Sequence, residues 1–295
     1  MADISQLAGA LLGKVYAVYF SGHKPLIWAA NLSLVLVILL AEVRQGRDLR
    51  RYLARGVRTD VLYNVLYVSG VFTVLFWLPV SRLLEGFVAT YAPFLRLGLL
   101  ARLPVGAHHV LYFLLTDLLA YFFHRLLHSN RFLWALHSIH HSQETLTFLT
   151  GRRFHVLDSV LENALALAPA LLLGVPPAEA LPIVLVRQWY SALQHSDLDW
   201  SFGRLDLLLV SPRFHSVHHS TDAAHYNKHF GTLLSVWDHV FGTAEREPHR
   251  PPAYGLADLR IPESFVRQLY FPIRQIAVEL GSGRAPVPRP TVSGT

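Results

Sequence analysis

The amino-acid sequence predicts an all-α fold: a polytopic membrane helical bundle of about four spanning helices, including a hairpin, beneath a cytoplasmic helical cap. Three observations carry this expectation. Of 295 residues, 52% are apolar and only 16% are charged, with a positive mean hydropathy; a soluble domain would carry a more charged surface. Apolar runs approaching the ~20 residues needed to cross a bilayer recur along the first two thirds of the chain. Finally, 13 of the 17 histidines fall between His124 and His239, starting where one of these runs ends.

Taken in order, Leu7–Phe20 is apolar but short and is broken by Ser21–Pro25. It suits an interfacial helix or part of a kinked first span. Leu26–Ala41, Val61–Val80 and Val105–Phe123 are firmer spans. Val160–Val186 is divided by Gly174-Val175-Pro176-Pro177. Each half is short, so a re-entrant hairpin fits better than two crossings. Ile261–Leu280 mixes apolar and basic residues at helical spacing, as an interfacial helix does. Gly281–Thr295, rich in Gly, Pro and Ser, reads as a disordered tail. The N-terminus (Met-Ala-Asp-Ile-Ser-Gln) lacks the basic start of a secretory signal, so the chain reads as retained whole.

Charge gives an orientation. Arg44, Arg47, Arg50, Arg51, Arg55 and Arg58 lie between the first two firm spans, which makes that loop cytoplasmic by the positive-inside tendency. Counting spans from there puts every histidine cluster on the same side. The net charge of +6 comes from arginines flanking apolar runs. They suit anionic lipid head groups, and no nucleic-acid partner is expected. Cysteine is absent, which excludes disulfides, thiolate-held clusters and Cys-type zinc sites. Any transition metal must be held by imidazole or carboxylate.

Three clusters supply imidazole. His124-Arg-Leu-Leu-His128 is spaced i, i+4; His137-Ser-Ile-His140-His141 and His215-Ser-Val-His218-His219 are both spaced i, i+3, i+4. On a helix such offsets place rings one turn apart on one face. Eight imidazoles exceed the three or four that one zinc takes. Two metal ions sharing eight or nine, with positions left open, is the better count, and His195 is a plausible ninth. Asp117 and Tyr121, on the helical stripe of His124, are candidates to orient a ligand ring. His155, His225 and His229 are left open as further members. His23, His108, His109 and His249 read as surface or interfacial residues, and Trp134 and Trp237 as packing or interface residues. The residues alone also admit a zinc-dependent membrane hydrolase or a metal-handling membrane protein.

The boxes, with Asp117-Leu-Leu-Ala-Tyr121 before the first, Leu133-Trp134 before the second, Pro212-Arg-Phe before the third and Trp237-Asp238-His239-Val-Phe241-Gly242-Thr243 after it, resemble the fatty acid hydroxylase / sterol desaturase family of integral-membrane di-iron enzymes. The resemblance covers roughly Asp117–Thr243. It implies that His124, His128, His137, His140, His141, His215, His218 and His219, with His195, hold two iron ions. It further implies that O2 is the co-substrate and that a lipid is hydroxylated or desaturated. Related sequences often have Asn at His229 and Arg at His239, so neither is carried over as a ligand. The chain shows no dinucleotide-binding fingerprint and no haem-carrier domain, so electrons are expected from a separate reductase with ferredoxin or a small cytochrome. A pterin-using ether-lipid monooxygenase also belongs to that family and stays open. The expected domains are 1–104, N-terminal membrane helices and linkers; 105–245, the hydroxylase-like catalytic part; 246–280, an interfacial helix region; and 281–295, the tail.

Overall fold

The computed structural model describes residues 24–95, 104–175, 177–245 and 249–281. Leu7–Phe20 and nearly all of the Gly281–Thr295 tail lie outside the described residues. Among the described residues there is no strand, only two isolated bridges, Leu209 with Leu234 and Ser220 with Tyr254. The helices are α1 (Lys24–Arg44), α2 (Arg55–Val68), α3 (Leu78–Tyr91), α4 (Val105–Ser129), α5 (Arg131–His141), α6 (Val156–Leu173), α7 (Pro177–Gln194), α8 (Pro212–His218), α9 (Val236–Val240) and α10 (Phe265–Gly281).

Among the described residues, four helical stretches are long and apolar enough to cross a membrane: Ile27–Arg44, Thr73–Tyr91, Gly106–Ser129 and Val156–Leu173. Their outer faces carry Leu36, Leu40, Leu83 and Phe87, each more than half exposed. Such a surface is costly in water and suited to lipid.

The second span differs from the expected Val61–Val80. Helix α2 ends at Val68, the chain turns at Gly70 (φ 83°), and a π-helical turn, Thr73–Trp77, leads into α3. The reason is polar. Asp60 and Asn64 on α2 are consumed in bonds to Arg153, Gln143 and the Leu149 carbonyl, which ties α2 to the histidine-bearing part of the molecule. The stretch long and apolar enough to cross, Thr73–Tyr91, starts only after the turn.

The hairpin is present, joined at Gly174 in the left-handed conformation (φ 75°). Its arms α6 and α7 have 18 residues each, about 27 Å at 1.5 Å per residue. They are longer than apolarity alone suggests because each helix continues through polar residues to the histidines, α6 starting at its N-cap His155 and α7 ending one residue before His195. Helix α4, at 25 residues, likewise runs past Phe123 to carry His124 and His128. It packs along α6 and α7.

The remaining elements form a cap on these ends. Asn130 caps α5 by accepting from the Phe132 and Leu133 N–H groups, and Ser211 caps α8 by accepting from Phe214 N–H. Arg47, Arg51 and Arg250 ion-pair with Asp197, and Asp197 N–H donates to Glu42. Part of the arginine-rich loop therefore fixes the segment just after His195. Helix α10 covers α5 and α2 with one face, burying Gln268 and Pro272, while Val266, Tyr270 and Ile273 stay exposed on the other.

Candidate metal centre

Helix α4 contributes His124 and His128; α5 contributes His137, His140 and His141; α8 contributes His215 and His218, with His219 at its C-cap. His195 joins from the end of α7. All nine are buried. They converge as two groups, each of which could hold one metal ion: His124, His128, His137, His141 and His218 in one, and His140, His195, His215 and His219 in the other, with the ligand atoms of each group within 4.8 Å of one another.

Helical geometry explains the division. Each i, i+4 pair (His124/His128, His137/His141, His215/His219) faces one group, and the i+3 histidine of each triplet faces the other. Positions i+3 and i+4 lie about 100° apart around the helix, so a triplet addresses two points. The triplets thereby interleave, and the rings of His141 and His219 stack across the boundary at 4.6 Å.

The spacing fits metal ligation. In the second group the Nε2 atoms of His140 and His195, His195 and His215, and His215 and His219 are 3.1, 3.0 and 3.2 Å apart. Nitrogens bound to one ion at 2.0–2.1 Å would stand roughly 2.9–3.4 Å apart in octahedral or tetrahedral geometry. In the first group the Nε2 atoms of His124, His141 and His218 are buried without a hydrogen-bond partner. A buried polar atom left this way is costly unless something occupies the point it faces.

Several rings are held in register through Nδ1. His124 donates to the Phe230 carbonyl (2.9 Å), His218 to the Lys228 carbonyl (2.9 Å) and His195 to the Ser191 carbonyl (2.7 Å). His137 donates to the Asp158 carboxylate (2.9 Å), both groups being buried. Each bond puts the proton on Nδ1 and leaves the Nε2 lone pair facing inward. Burial, reinforced by neighbouring histidines, holds His140, His141, His215 and His219 well below the ordinary histidine range. Burial likewise takes His195 down to about 4. These five rings are therefore neutral near pH 7, as a ligand must be.

Asp117 and Tyr121 do not orient His124. Asp117 accepts from Thr232, the Leu233 and Leu234 N–H groups and Trp237 Nε1, and Tyr121 pairs with Thr243. They pin the loop whose Phe230 carbonyl meets His124, one step removed from the expected role. Asp158, which the sequence reading passed over, is the carboxylate at a histidine. Its signal was a lone acid at the start of an apolar helix, three residues after a histidine. Arg153 was passed over too: its Nε donates to the Ile139 carbonyl and its Nη1 to Asp60 (2.6 Å), buttressing α5 beside His140 and His141.

None of the three open histidines joins either group. His155 caps α6 and meets the Leu269 carbonyl, His225 pairs with Ser220, and His229 lies between the Phe214 carbonyl and Glu245 N–H. His229 has φ 58°, a conformation in which Asn and His are enriched. His239 only approaches the Asp206 carbonyl at 3.4 Å.

A cavity of about 800 Å³ opens onto the cluster, lined by His124, His137, His140, His195 and His215 at one end and largely by apolar side chains of α1, α4, α6 and α7 elsewhere. The described residues thus define a class: a helical bundle with membrane-length helices and a buried histidine-rich centre beside a largely apolar cavity.

Comparison with known proteins sharpens that class. Residues 109–243, which hold all nine histidines, match the family described as fatty acid hydroxylase. The chain is 34% identical over 173 residues to an ornithine lipid hydroxylase of Rhizobium tropici, covering 57% of this chain and 51% of that protein. It is 33% identical over 144 residues to the human alkylglycerol monooxygenase (49% and 32%). It is 24% identical over 159 residues to a Delta(7)-sterol-C5(6)-desaturase of Nicotiana tabacum (52% and 55%). The chain thus spans about half the length of the first of these relatives and about a third of the second. No solved structure matches. The fatty acid hydroxylase match thus extends over residues 109–243, a little under half of the chain.

Proposed function

We propose that the chain is a membrane-embedded oxygenase that hydroxylates or desaturates a lipid, using O2 and two iron ions held by the nine histidines. The observation that carries this reading is the pair of buried imidazole groups lining a largely apolar cavity of about 800 Å³. Relatives named as lipid hydroxylase, alkylglycerol monooxygenase and sterol desaturase support it. His124, His128, His137, His141 and His218 would hold one ion, and His140, His195, His215 and His219 the other. Bound there, the irons supply the reduction of O2 that attack on an unactivated C–H bond requires.

The chain's own residues do the rest. The apolar cavity takes the lipid tail from the bilayer and keeps water from the reacting carbon. Asp158 and the carbonyls of Ser191, Lys228 and Phe230 fix the ring orientations. For hydroxylation, substrate, O2, two electrons and two protons give the alcohol and water; for desaturation, the same O2, electrons and protons, with two hydrogens taken from adjacent substrate carbons, give the alkene and two waters. The electrons come from a separate protein, a reductase with ferredoxin or a small cytochrome, docking on the cap. The arginine distribution supports a cytoplasmic position for that cap.

The test is metal analysis of the protein purified in detergent, together with lipid mass spectrometry of expressing cells. Two irons per chain and a lipid that gains one oxygen or loses two hydrogens support the proposal. Zinc alone, with hydrolysed lipid, replaces it with the membrane-hydrolase reading.

A further inference from the structure

One feature of the cavity wall is unlike the rest. Glu162 on α6 and Arg187 on α7 face each other across the hairpin with Arg187 Nη2 3.7 Å from Glu162 Oε1, and Arg187 Nη1 stands 3.6 Å from Asp117 Oδ1. Both separations exceed hydrogen-bonding distance. Arg187 Nη1 is buried and has no hydrogen-bond partner, and the Glu162 side chain is 42% exposed where it lines the cavity. Asp117 is already saturated by four donors from the 232–237 loop. A charged pair in a largely apolar cavity, whose wall also carries Arg152 and Asp158, is expensive, and residues of this kind at membrane depth mark a substrate path or binding site.

Resting on the lipid-oxygenase reading, we propose that Glu162 and Arg187 form a receptor for the polar group of the substrate and thereby select which carbon is presented to the histidines. The open donor on Arg187 and the open acceptor on Glu162 fit one neutral group that both accepts and donates, a hydroxyl or an amide. A carboxylate or phosphate would sit between Glu162 and Asp117 and be repelled by both. Glu162 lies one turn beyond Asp158 on the same helix, and Arg187 two turns before His195, so the receptor stands on the order of 6–12 Å from the histidine cluster. Oxidation then falls a few carbons from the polar group, with the remaining tail in the apolar part of the cavity towards Leu32, Val35 and Ile183.

Binding measured on the full chain with its metals, in detergent, tests this without turnover. Brominated long-chain probes entering the cavity quench Trp28, Trp77 and Trp189, which line it. The probes are a primary alcohol, its methyl ether, the alkane of equal length and the carboxylic acid. The wild type should bind the alcohol at least about tenfold more tightly than the alkane, with the ether between them. Glu162→Ala should erase the preference for alcohol over ether, and Arg187→Met the preference for ether over alkane. Alkane affinity should be unchanged in both, and Arg187→Lys should restore part of the ether preference. The receptor is overturned if either variant keeps the wild-type ratios, or if the carboxylate binds more tightly than the alcohol. A wild type that oxidises lipid but shows none of these preferences removes the receptor alone; a wild type that shows them without oxidising any lipid removes the oxygenase reading alone.

Discussion

Asp158→Asn isolates one of the two histidine groups. The carboxylate accepts from His137 Nδ1 at 2.9 Å, and both side chains are almost fully buried. No other ring of the cluster is oriented by a charged group in the bonds described; His124, His195 and His218 use carbonyls. Asn preserves the shape and can still accept through its amide oxygen, so the change removes charge and little else. An orienting partner of this kind sets ligand basicity, and its loss typically lowers metal affinity about 10–100-fold, equivalent to roughly 1.4–2.7 kcal/mol. The effect should be confined to the ion of the His124 group, since His137 belongs to that group and not to the His140 group. Stepwise anaerobic titration of metal-free protein with Co2+, followed by visible absorption, separates the two sites. The wild type should fill both tightly, and the variant should fill one normally and the other about 10–100-fold more weakly. Equal weakening of both sites, or of neither, would refute the assignment of Asp158 to a single ion. Unchanged helical content and melting temperature of the metal-free variant would confirm that the fold is intact.

Other substitutions test neighbouring parts of the reasoning. His218→Ala and His140→Ala should each lower the metal content by about one ion per chain, from different groups, and abolish lipid oxidation, while His249→Ala changes neither; metal analysis with lipid mass spectrometry reads both outcomes. Asp60→Ala strands the buried Arg153 guanidinium, which should cost about 3–5 kcal/mol and appear as a large fall in melting temperature in detergent; the double variant Asp60→Ala with Arg153→Met should recover much of it. His229 is fully buried, donates through Nδ1 to Phe214 and accepts at Nε2 from Glu245 N–H, so only the neutral ring satisfies both bonds. Burial lowers it from 6.5 to about 4. As the pH falls, the unfolded chain takes up the proton first. The stability this ring contributes is complete above pH 6.5 and is lost on acidification towards pH 4, by up to about 3 kcal/mol. His229→Asn, which tolerates the positive φ, should flatten that part of the pH–stability curve; an identical acid dependence in variant and wild type would count against it.

What was legible in the sequence follows from how local each signal is. The histidine spacing is set within one turn of helix, so the membership of the cluster can be read without tertiary knowledge, and His195 is identifiable from its place after the hairpin. The distribution between two centres is not local. It depends on three helices approaching one point, where the roughly 100° between i+3 and i+4 becomes a choice of group. The same limit explains the misplaced orienting carboxylate. Asp117 shares a helical stripe with His124, but a stripe says only which side a residue faces, and on that side the 232–237 loop supplies four donors that saturate it. Asp158, 21 residues from His137 in sequence, becomes its partner only because α6 starts beside α5, at a point fixed by His155 as the helix cap and by Arg153 clamped to Asp60.

Span boundaries show the converse. Hydropathy counts Val61–Val80 as one run because Asp60 falls just outside it and Asn64 is the one amide within it. Those two side chains are nevertheless the ones that bind α2 into the cap. Breaking the run at Gly70 frees α2 from the need to cross and lets Thr73–Tyr91 do so instead. An apolar run sets how much surface must be hidden from water, whereas one buried polar contact decides where that surface goes. In this chain such contacts cluster around the histidines, so the elements nearest the centre are those whose boundaries hydropathy alone places least well.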